Sequence, residues 1–270
     1  MPLPAVRPPP AVDPAPPLRL HLLGGFALEI GGRLTTLPFQ AQRVLAPVAV
    51  HDGPPIARTV LAEQLWPEVG GARAQASLRT ALWRLRQTDP RLVTARQDLL
   101  QVGRAVEVDV RLMLAQAARL LSPTAELRPE DVCLDSLRAD LLPTWDEEWL
   151  LLERERVRQQ RLHALDALTH RLRARGRYAE AVEAALAALA AEPLRESAQA
   201  ALIDVHLAEG NVTEAYRQYE RYARILRGEL GLAPSPAFAD RLRLAMRTMG
   251  DVAPGRGAAH SAVAARSSAR

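Results

Sequence analysis

The chain has 270 residues, of which 48% are apolar and 24% charged, a composition typical of folded globular domains. All 35 basic residues are arginine, which excludes chemistry that needs a lysine amine, and the single cysteine, Cys133, excludes an internal disulfide and a multi-cysteine metal site. The longest apolar run has eight residues, 184–191. A membrane-spanning helix needs ~20, so we expect a cytoplasmic protein that does not enter the membrane.

Composition and periodicity predict two domains between two tails. Residues 1–17 contain eight prolines and are predicted to form a disordered leader, and residues 249–270 lack apolar periodicity and are predicted to form a disordered tail. Near residue 112 the pattern changes from short alternating segments mixed with helices to almost continuous helical periodicity. We therefore predict an α+β domain over 18–112 and an all-α domain over 113–248.

The first domain combines strands, helices and a hairpin. Short β-type runs, separated by glycine pairs, cover 18–23, 26–30 and 34–37. Three helices are predicted to follow, over 40–50, 60–66 and 72–88. Pro47 is expected to end or kink the first near Ala46, and Thr59 is a plausible N-cap for the second. A hairpin is predicted over 91–95 and 99–102, with a continuation at 105–110. A sheet, three helices and a hairpin follow each other in this order in a winged helix-turn-helix.

The second domain contains an internal repeat. The segment Gly176-Arg177-Tyr178-Ala179-Glu180-Ala181 recurs 34 residues later as Gly210-Asn211-Val212-Thr213-Glu214-Ala215. A 34-residue period with glycine between two helices is the spacing of tetratricopeptide repeats. A charged helix is predicted upstream at 145–161 and a terminal one at 237–249. Four tyrosines gather in this region: Tyr178, Tyr216, Tyr219 and Tyr222. Tyr219 and Tyr222, at i,i+3, either line one edge of a groove or pack between the repeats.

The basic excess lies in the first domain. Residues 18–112 hold 12 arginines and 8 acidic residues, whereas residues 113–248 hold 19 arginines and 21 acidic residues. The predicted helix 72–88 contains no carboxylate and carries Arg73, Arg79, Arg84 and Arg86. One helix therefore accounts for the surplus, which indicates a polyanion as its partner.

A helical wheel divides this helix into two faces. Residues at the spacing of a buried stripe are Ala74, Leu78, Ala81, Leu82 and Leu85. The opposite face collects Arg73, Ala76, Thr80, Trp83, Arg84 and Gln87, flanked by Arg79 and Arg86. One interpretation is that this face enters the DNA major groove, with Arg84 paired to guanine, Thr80 against a thymine methyl, and the flanking arginines on phosphates. The alternative is a solvated arginine face with Trp83 packed on a neighbouring domain.

Several motifs, in this order, resemble those of SARP-type activators (Streptomyces antibiotic regulatory proteins). In the first domain they are Leu20-His21-Leu22-Leu23-Gly24-Gly25-Phe26, Leu65-Trp66-Pro67, Leu78-Arg79-Thr80-Ala81-Leu82-Trp83-Arg84-Leu85-Arg86 and Glu107-Val108-Asp109-Val110. In the second they are Trp145-Asp146-Glu147-Glu148-Trp149, Glu153-Arg154-Glu155-Arg156, Pro193-Leu194-Arg195-Glu196-Ser197 and Glu229-Leu230-Gly231-Leu232-Ala233-Pro234-Ser235. The resemblance covers about residues 18–248.

The resemblance implies an OmpR/PhoB-type winged helix followed by a tetratricopeptide-like bacterial transcriptional activator domain. Family members activate secondary-metabolite (antibiotic) gene clusters, bind direct repeats near promoters as side-by-side dimers on double-stranded DNA, and contact RNA polymerase. By position, Thr80 and Arg84 are implied to read bases, and Trp83 and Arg86 to contact the DNA backbone. Arg73 and Arg79, from the basic face of the same helix, are added as backbone candidates. Thr94 and Arg96 are implied to reach the minor groove from the wing, with Arg91 as a secondary candidate.

No catalytic or metal-binding constellation is found. The six histidines include no His-x-x-x-His pair, and the adjacent carboxylates Asp146-Glu147-Glu148 point in different directions on a helix and suit its first turn instead. We therefore expect no enzyme activity, no metal and no cofactor. Two other functions stay open: a tetratricopeptide-like adaptor that uses the winged helix for protein docking, and an RNA-binding regulator.

Overall fold

A computed structural model describes residues 15–240 and 243–244. Two compact units share these residues. Unit 1 takes the described residues up to 117 together with 139–160, and unit 2 takes 118–138 together with those from 161 onward. Most of the two predicted tails, and most of the predicted terminal helix 237–249, lie outside the described residues.

Unit 1 opens with a four-stranded sheet. Its strands are β1 (Leu18–His21), β2 (Ala27–Ile30), β3 (Arg33–Leu34) and β7 (Val106–Val108), in the order β3-β2-β1-β7. β1 pairs with β2 antiparallel, with Leu20 opposite Leu28, and with β7 parallel, with Leu20 beside Val108. These three apolar side chains are buried, as the alternating pattern predicts.

Three helices of unit 1 follow the sheet. They are α1 (Phe39–Val50), α2 (Arg58–Leu65) and α3 (Gly71–Thr88). Of the two effects expected of Pro47, an end of α1 near Ala46 is wrong, because the helix continues to Val50 and the His51 N–H donates to the Pro47 carbonyl at 3.0 Å. Proline removes only one donor, and residues 44 to 50 are all buried, so apolar burial outweighs the missing bond.

The start of α2 also differs from the prediction. Thr59 is not the N-cap: the cap position is Ala57, and no side chain caps the helix. Ile56 and Ala57 form a short strand, β4, and the Arg58 N–H donates to the Asp98 carbonyl at 2.8 Å. The backbone of the following hairpin, rather than a threonine hydroxyl, therefore sets the start of α2.

A three-stranded sheet holds the predicted hairpin. The strands β5 (Val93–Arg96) and β6 (Leu99–Val102) pair antiparallel, and β4 pairs with the other edge of β6, giving the order β4-β6-β5. Gln97 in the turn has φ of 52°, a left-handed conformation. The hairpin begins and ends within two residues of the predicted bounds.

The described residues after β7 are mostly helical. Its elements are α4 (Asp109–Leu121), a 3₁₀ turn (Pro129–Val132), α5 (Asp135–Arg138), α6 (Glu148–Arg173), α7 (Tyr178–Ala191), α8 (Glu196–Glu209) and α9 (Val212–Leu230). α6 begins three residues later and ends twelve residues later than the predicted helix 145–161. None of the helices in the described part of the chain is long and apolar enough to span a bilayer.

The 34-residue period corresponds to equivalent turns in unit 2. Gly176 precedes α7 and Gly210 precedes α9, and both have positive φ, 69° and 88°. The helix following the second turn packs through Tyr222, which is 2% exposed and contacts the Phe238 ring at 5.6 Å between centroids. Of the two interpretations of the tyrosines, packing between helices therefore applies to Tyr222.

Candidate nucleic-acid interface

The inward face of α3 is the one that the wheel predicted. Its five buried residues, all 1–7% exposed, are Ala74, Leu78, Ala81, Leu82 and Leu85. These side chains recur every three or four residues, so they lie on one side of the helix. Their burial fixes the rotation of α3 and turns the opposite face to solvent.

The outward face of α3 is basic and carries no acidic side chain. All six residues predicted to contact DNA from this helix are exposed; they are Arg73, Arg79, Thr80, Trp83, Arg84 and Arg86. Four guanidinium groups on one helix without a carboxylate create a positive potential, which attracts a polyanion such as a phosphate backbone.

Arg84 and Trp83 form a stacked pair at the surface. The Arg84 guanidinium carbon lies 4.8 Å from the centroid of the Trp83 ring, and Trp83 is 51% exposed. Such cation–π stacking is worth about 0.5–1 kcal/mol at an exposed site. The stacking restricts the Arg84 side chain before any partner binds, and a planar fork held in this way suits bidentate recognition of paired acceptors.

Thr80 is exposed, but its hydroxyl proton is engaged. The hydroxyl donates to the Ala76 carbonyl one turn earlier, at 3.1 Å. The oxygen can still accept a hydrogen bond, and the methyl group stays available for an apolar contact. The geometry therefore favours Thr80 as an acceptor or a methyl contact over a donor.

Thr80 and Arg84 also line a cleft between α1, the end of α2 and α3, which we call the α1–α3 cleft. Its volume is about 540 Å³, and its lining consists of Pro38, Gln40, Ala41, Trp66, Ala76, Ser77, Thr80, Ala81 and Arg84. The sequence reasoning did not assign Gln40, Trp66 or Ser77 to this surface. Trp66 had a sequence signal, because it belongs to the Leu65-Trp66-Pro67 motif. Gln40 and Ser77 had none, because residues of separate helices meet at this cleft only after folding.

The three predicted wing residues have different surroundings. Arg96 is exposed at the end of β5, and Thr94 is half-buried opposite Gln101 in β6. Arg91 precedes the hairpin and forms a two-pronged ion pair with Asp89, with Nη2 at 2.7 Å from Oδ2 and Nε at 3.0 Å from Oδ1. Its Nη1 also donates to the Pro16 carbonyl at 2.9 Å.

The Arg91–Asp89 pair affects the ionisation of the acid. Hydrogen bonds from the Arg91 side chain hold the pKa of Asp89 below its ordinary value, against an opposing effect of burial. The structure thus places Arg96 and Thr94 on the hairpin, whereas it engages the Arg91 guanidinium within the protein. Arg104, which the sequence did not single out, is a further exposed cation two residues after β6, at the end of the hairpin away from the Gln97 turn.

A search for metal-binding groups covered the described residues. Among residues 15–240 and 243–244, no three or more His, Cys, Asp or Glu side chains come together in a group that could hold a metal ion. Cys133 is exposed and its thiol faces the Asp135 carboxylate at 3.7 Å.

Comparisons with known proteins place the chain among bacterial regulators. Residues 108–243, just over half of the chain, match the model of the bacterial transcriptional activator domain. The chain is 31% identical over 238 residues to the regulatory protein AfsR of Streptomyces coelicolor, covering 83% of this chain and 24% of that protein. It is 27% identical over 252 residues to AfsR of Streptomyces griseus, covering 88% and 25%.

A solved structure shares the fold. EmbR of Mycobacterium tuberculosis, determined in complex with a low-affinity phosphopeptide, matches with a TM-score of 0.66 at 18% identity, over 86% of this chain and 66% of that one. The chain spans about a quarter of the length of the AfsR relatives. These relatives are named regulatory proteins, and the matched domain is named for transcriptional activation. The chain belongs to the bacterial transcriptional activator domain family and is of the SARP type.

Proposed function

We propose that this activator binds double-stranded DNA through α3, as the recognition helix of an OmpR/PhoB-type winged helix-turn-helix. The observation that carries the proposal is the outward face of α3, where Thr80 and Arg84 lie among exposed arginines and no acidic residue. The order of a sheet, three helices and a hairpin supports the winged-helix assignment.

Within this proposal the exposed residues divide into two roles. Thr80 and Arg84 read bases in the major groove, since a stacked guanidinium matches the two acceptors of guanine. Arg73, Arg79, Trp83 and Arg86 contact the sugar-phosphate backbone. In the wing, Arg96 and Thr94 approach the minor groove. Arg91 contributes only if a phosphate displaces its pairing with Asp89.

The finer biological role is also a proposal. The chain activates a secondary-metabolite gene cluster in the cytoplasm, binds direct repeats as a side-by-side dimer, and recruits RNA polymerase through its tetratricopeptide-like part. The relationship to two Streptomyces regulatory proteins supports this role. The equivalent turns at Gly176 and Gly210 support the repeat assignment.

A salt titration of DNA binding tests the proposal. Duplexes of about 30 base pairs are selected by the protein from a random pool, and binding is measured by fluorescence anisotropy at increasing salt. Groove binding releases counterions, so log K should fall linearly with log salt, with a slope of about −0.9 for each phosphate neutralised. No enrichment of any duplex at low salt would refute DNA recognition.

The alternative is a protein-docking adaptor. The half-exposed Trp83 favours it, because exposed tryptophans are frequent at protein interfaces. An adaptor would show neither sequence enrichment nor a steep salt slope on DNA, so the same titration separates the two functions.

A further inference from the structure

A partly buried ion pair in unit 1 connects the segment before α6 to the α1–α3 cleft. Glu147 precedes α6 and lies within the region that matches the activator domain, whereas Arg43 lies on α1. The Arg43 Nε is 2.5 Å from Glu147 Oε1, and its Nη2 is 2.9 Å from Oε2. The two side chains are only 16% and 12% exposed. This pair plays no part in the functions proposed above.

The backbone before Glu147 is anchored in the first sheet region. Leu141 forms an isolated antiparallel bridge with Leu23, the Gly24 N–H donates to the Asp140 carbonyl at 2.7 Å, and the Leu142 N–H donates to the Leu22 carbonyl at 2.9 Å. Trp145 then stacks on the Phe26 ring at 5.9 Å and meets Phe39 of α1 edge-on at 5.5 Å. Glu147 therefore approaches α1 from a fixed position.

Arg43 links Glu147 to the end of α2. Its Nη2 donates to the carbonyl of Leu65, the last residue of α2, at 2.7 Å, and its guanidinium lies 5.6 Å from the centroid of the Trp66 ring. Its Nη1 donates to the Gln40 side chain at 3.3 Å. The guanidinium thus uses all three nitrogens, and Glu147 is the group that neutralises and orients it.

Two of the groups that Arg43 holds are walls of the α1–α3 cleft. Trp66 and Gln40 both line the cleft, together with Thr80 and Arg84 of α3. Trp66 is 7% exposed, so its ring cannot move without disturbing the side chains around it. A substitution of Glu147 should therefore alter the surroundings of Thr80 and Arg84, the residues proposed to read bases, through Arg43 and the cleft walls.

We propose that Glu147 is a positioning residue for DNA reading: through Arg43 it fixes the end of α2 and Trp66, and thereby the shape of the cleft in which Thr80 and Arg84 lie. This inference rests on the proposed DNA-binding function. It makes the activator-domain segment around Glu147 a determinant of sequence discrimination, separate from the contacts of α3.

The test uses the full chain with Glu147→Gln, which removes the charge and keeps the shape, and Arg43→Lys, which keeps a charge and loses the fork. The matched control is Glu155→Gln, which removes the exposed ion pair of Glu155 with Arg158 at 3.0 Å on α6. Circular dichroism is used first to check that each variant is folded. Discrimination is then measured as the ratio of Kd for a shuffled duplex to Kd for the duplex selected by the wild type. Amide hydrogen exchange is measured on peptides covering 58–70 and, for comparison, 196–209.

Both pair variants should lose roughly tenfold in discrimination, within the usual range for coupled contacting groups. Their amide hydrogen exchange should be faster than that of the wild type over 58–70 and the same over 196–209. The control should match the wild type in discrimination and in exchange. Discrimination and exchange equal to those of the control would overturn the proposal, as would unfolding of both variants, because the pair would then serve stability alone. If the wild type selects no duplex, DNA reading fails, whereas the exchange comparison still decides whether Glu147 positions α2.

Discussion

Replacing Arg84 with alanine is the sharpest test of base reading by α3. The Arg84 side chain is exposed and stacks on the Trp83 ring at 4.8 Å. Its removal should change the free energy of unfolding by no more than about 0.5–1 kcal/mol, the value of an exposed cation–π contact. Any larger loss of DNA binding therefore reports on the DNA contact and not on folding.

The expected loss is specific to one base pair. A bidentate contact between a guanidinium and guanine contributes about 1–3 kcal/mol of discrimination against the wrong base. This corresponds to roughly 5- to 150-fold in the ratio of affinities at that position. Arg84→Lys keeps the charge but loses the planar fork and should retain only part of the discrimination.

The assay is an anisotropy titration over a panel of duplexes in which each base pair of the selected site is changed in turn. The wild-type affinity should fall when the base pair that Arg84 reads is changed. Arg84→Ala should abolish this loss of affinity and leave the effects of the other base-pair changes unaltered. Arg79→Ala is the matched control, because it removes an equal charge from the flank of the same helix. Equal weakening of Arg84→Ala on every duplex would refute base reading and reassign Arg84 to a phosphate.

Three further results are expected. Arg86→Ala should weaken binding equally on all duplexes and make the salt slope shallower by about one unit; an unchanged slope in the salt titration would exclude a backbone contact. Leu78, 1% exposed, anchors α3, so Leu78→Ala should lower the free energy of unfolding by about 2–5 kcal/mol in urea, and a loss below about 1 kcal/mol would contradict the burial. Arg91 lowers the pKa of Asp89, so this carboxylate stabilises the fold above its ordinary pKa of 3.8, and the contribution is lost as pH falls below that value. The difference in unfolding free energy between wild type and Asp89→Asn should shrink on acidification from about pH 5 to pH 2, and a constant difference would refute the assignment.

Local periodicity was sufficient to predict α3 and its orientation. The five residues placed on the inward face by a wheel are the five that are buried, and the exposed residues follow from the same rotation. The glycine turns at Gly176 and Gly210 were predictable for a similar reason, since a left-handed residue between two helices is a local requirement. The motifs that resemble the activator family also lie within short segments, which a single sequence displays directly.

Other features depend on contacts between residues far apart in the chain. Pro47 stays inside α1 because that segment is wholly buried, and α2 begins at Arg58 because the backbone of Asp98 accepts its N–H. Arg91 carries the same charge as Arg96, yet it is held by Asp89 and Pro16. The sequence by itself determined which helix presents arginines and which face it presents, because helical periodicity is a property of neighbouring residues. Only the tertiary structure decided which side chains form the α1–α3 cleft and which glutamate orients Arg43. Packing brings the cleft residues together from positions between 38 and 84, and it joins Arg43 to Glu147 across 104 positions of the chain.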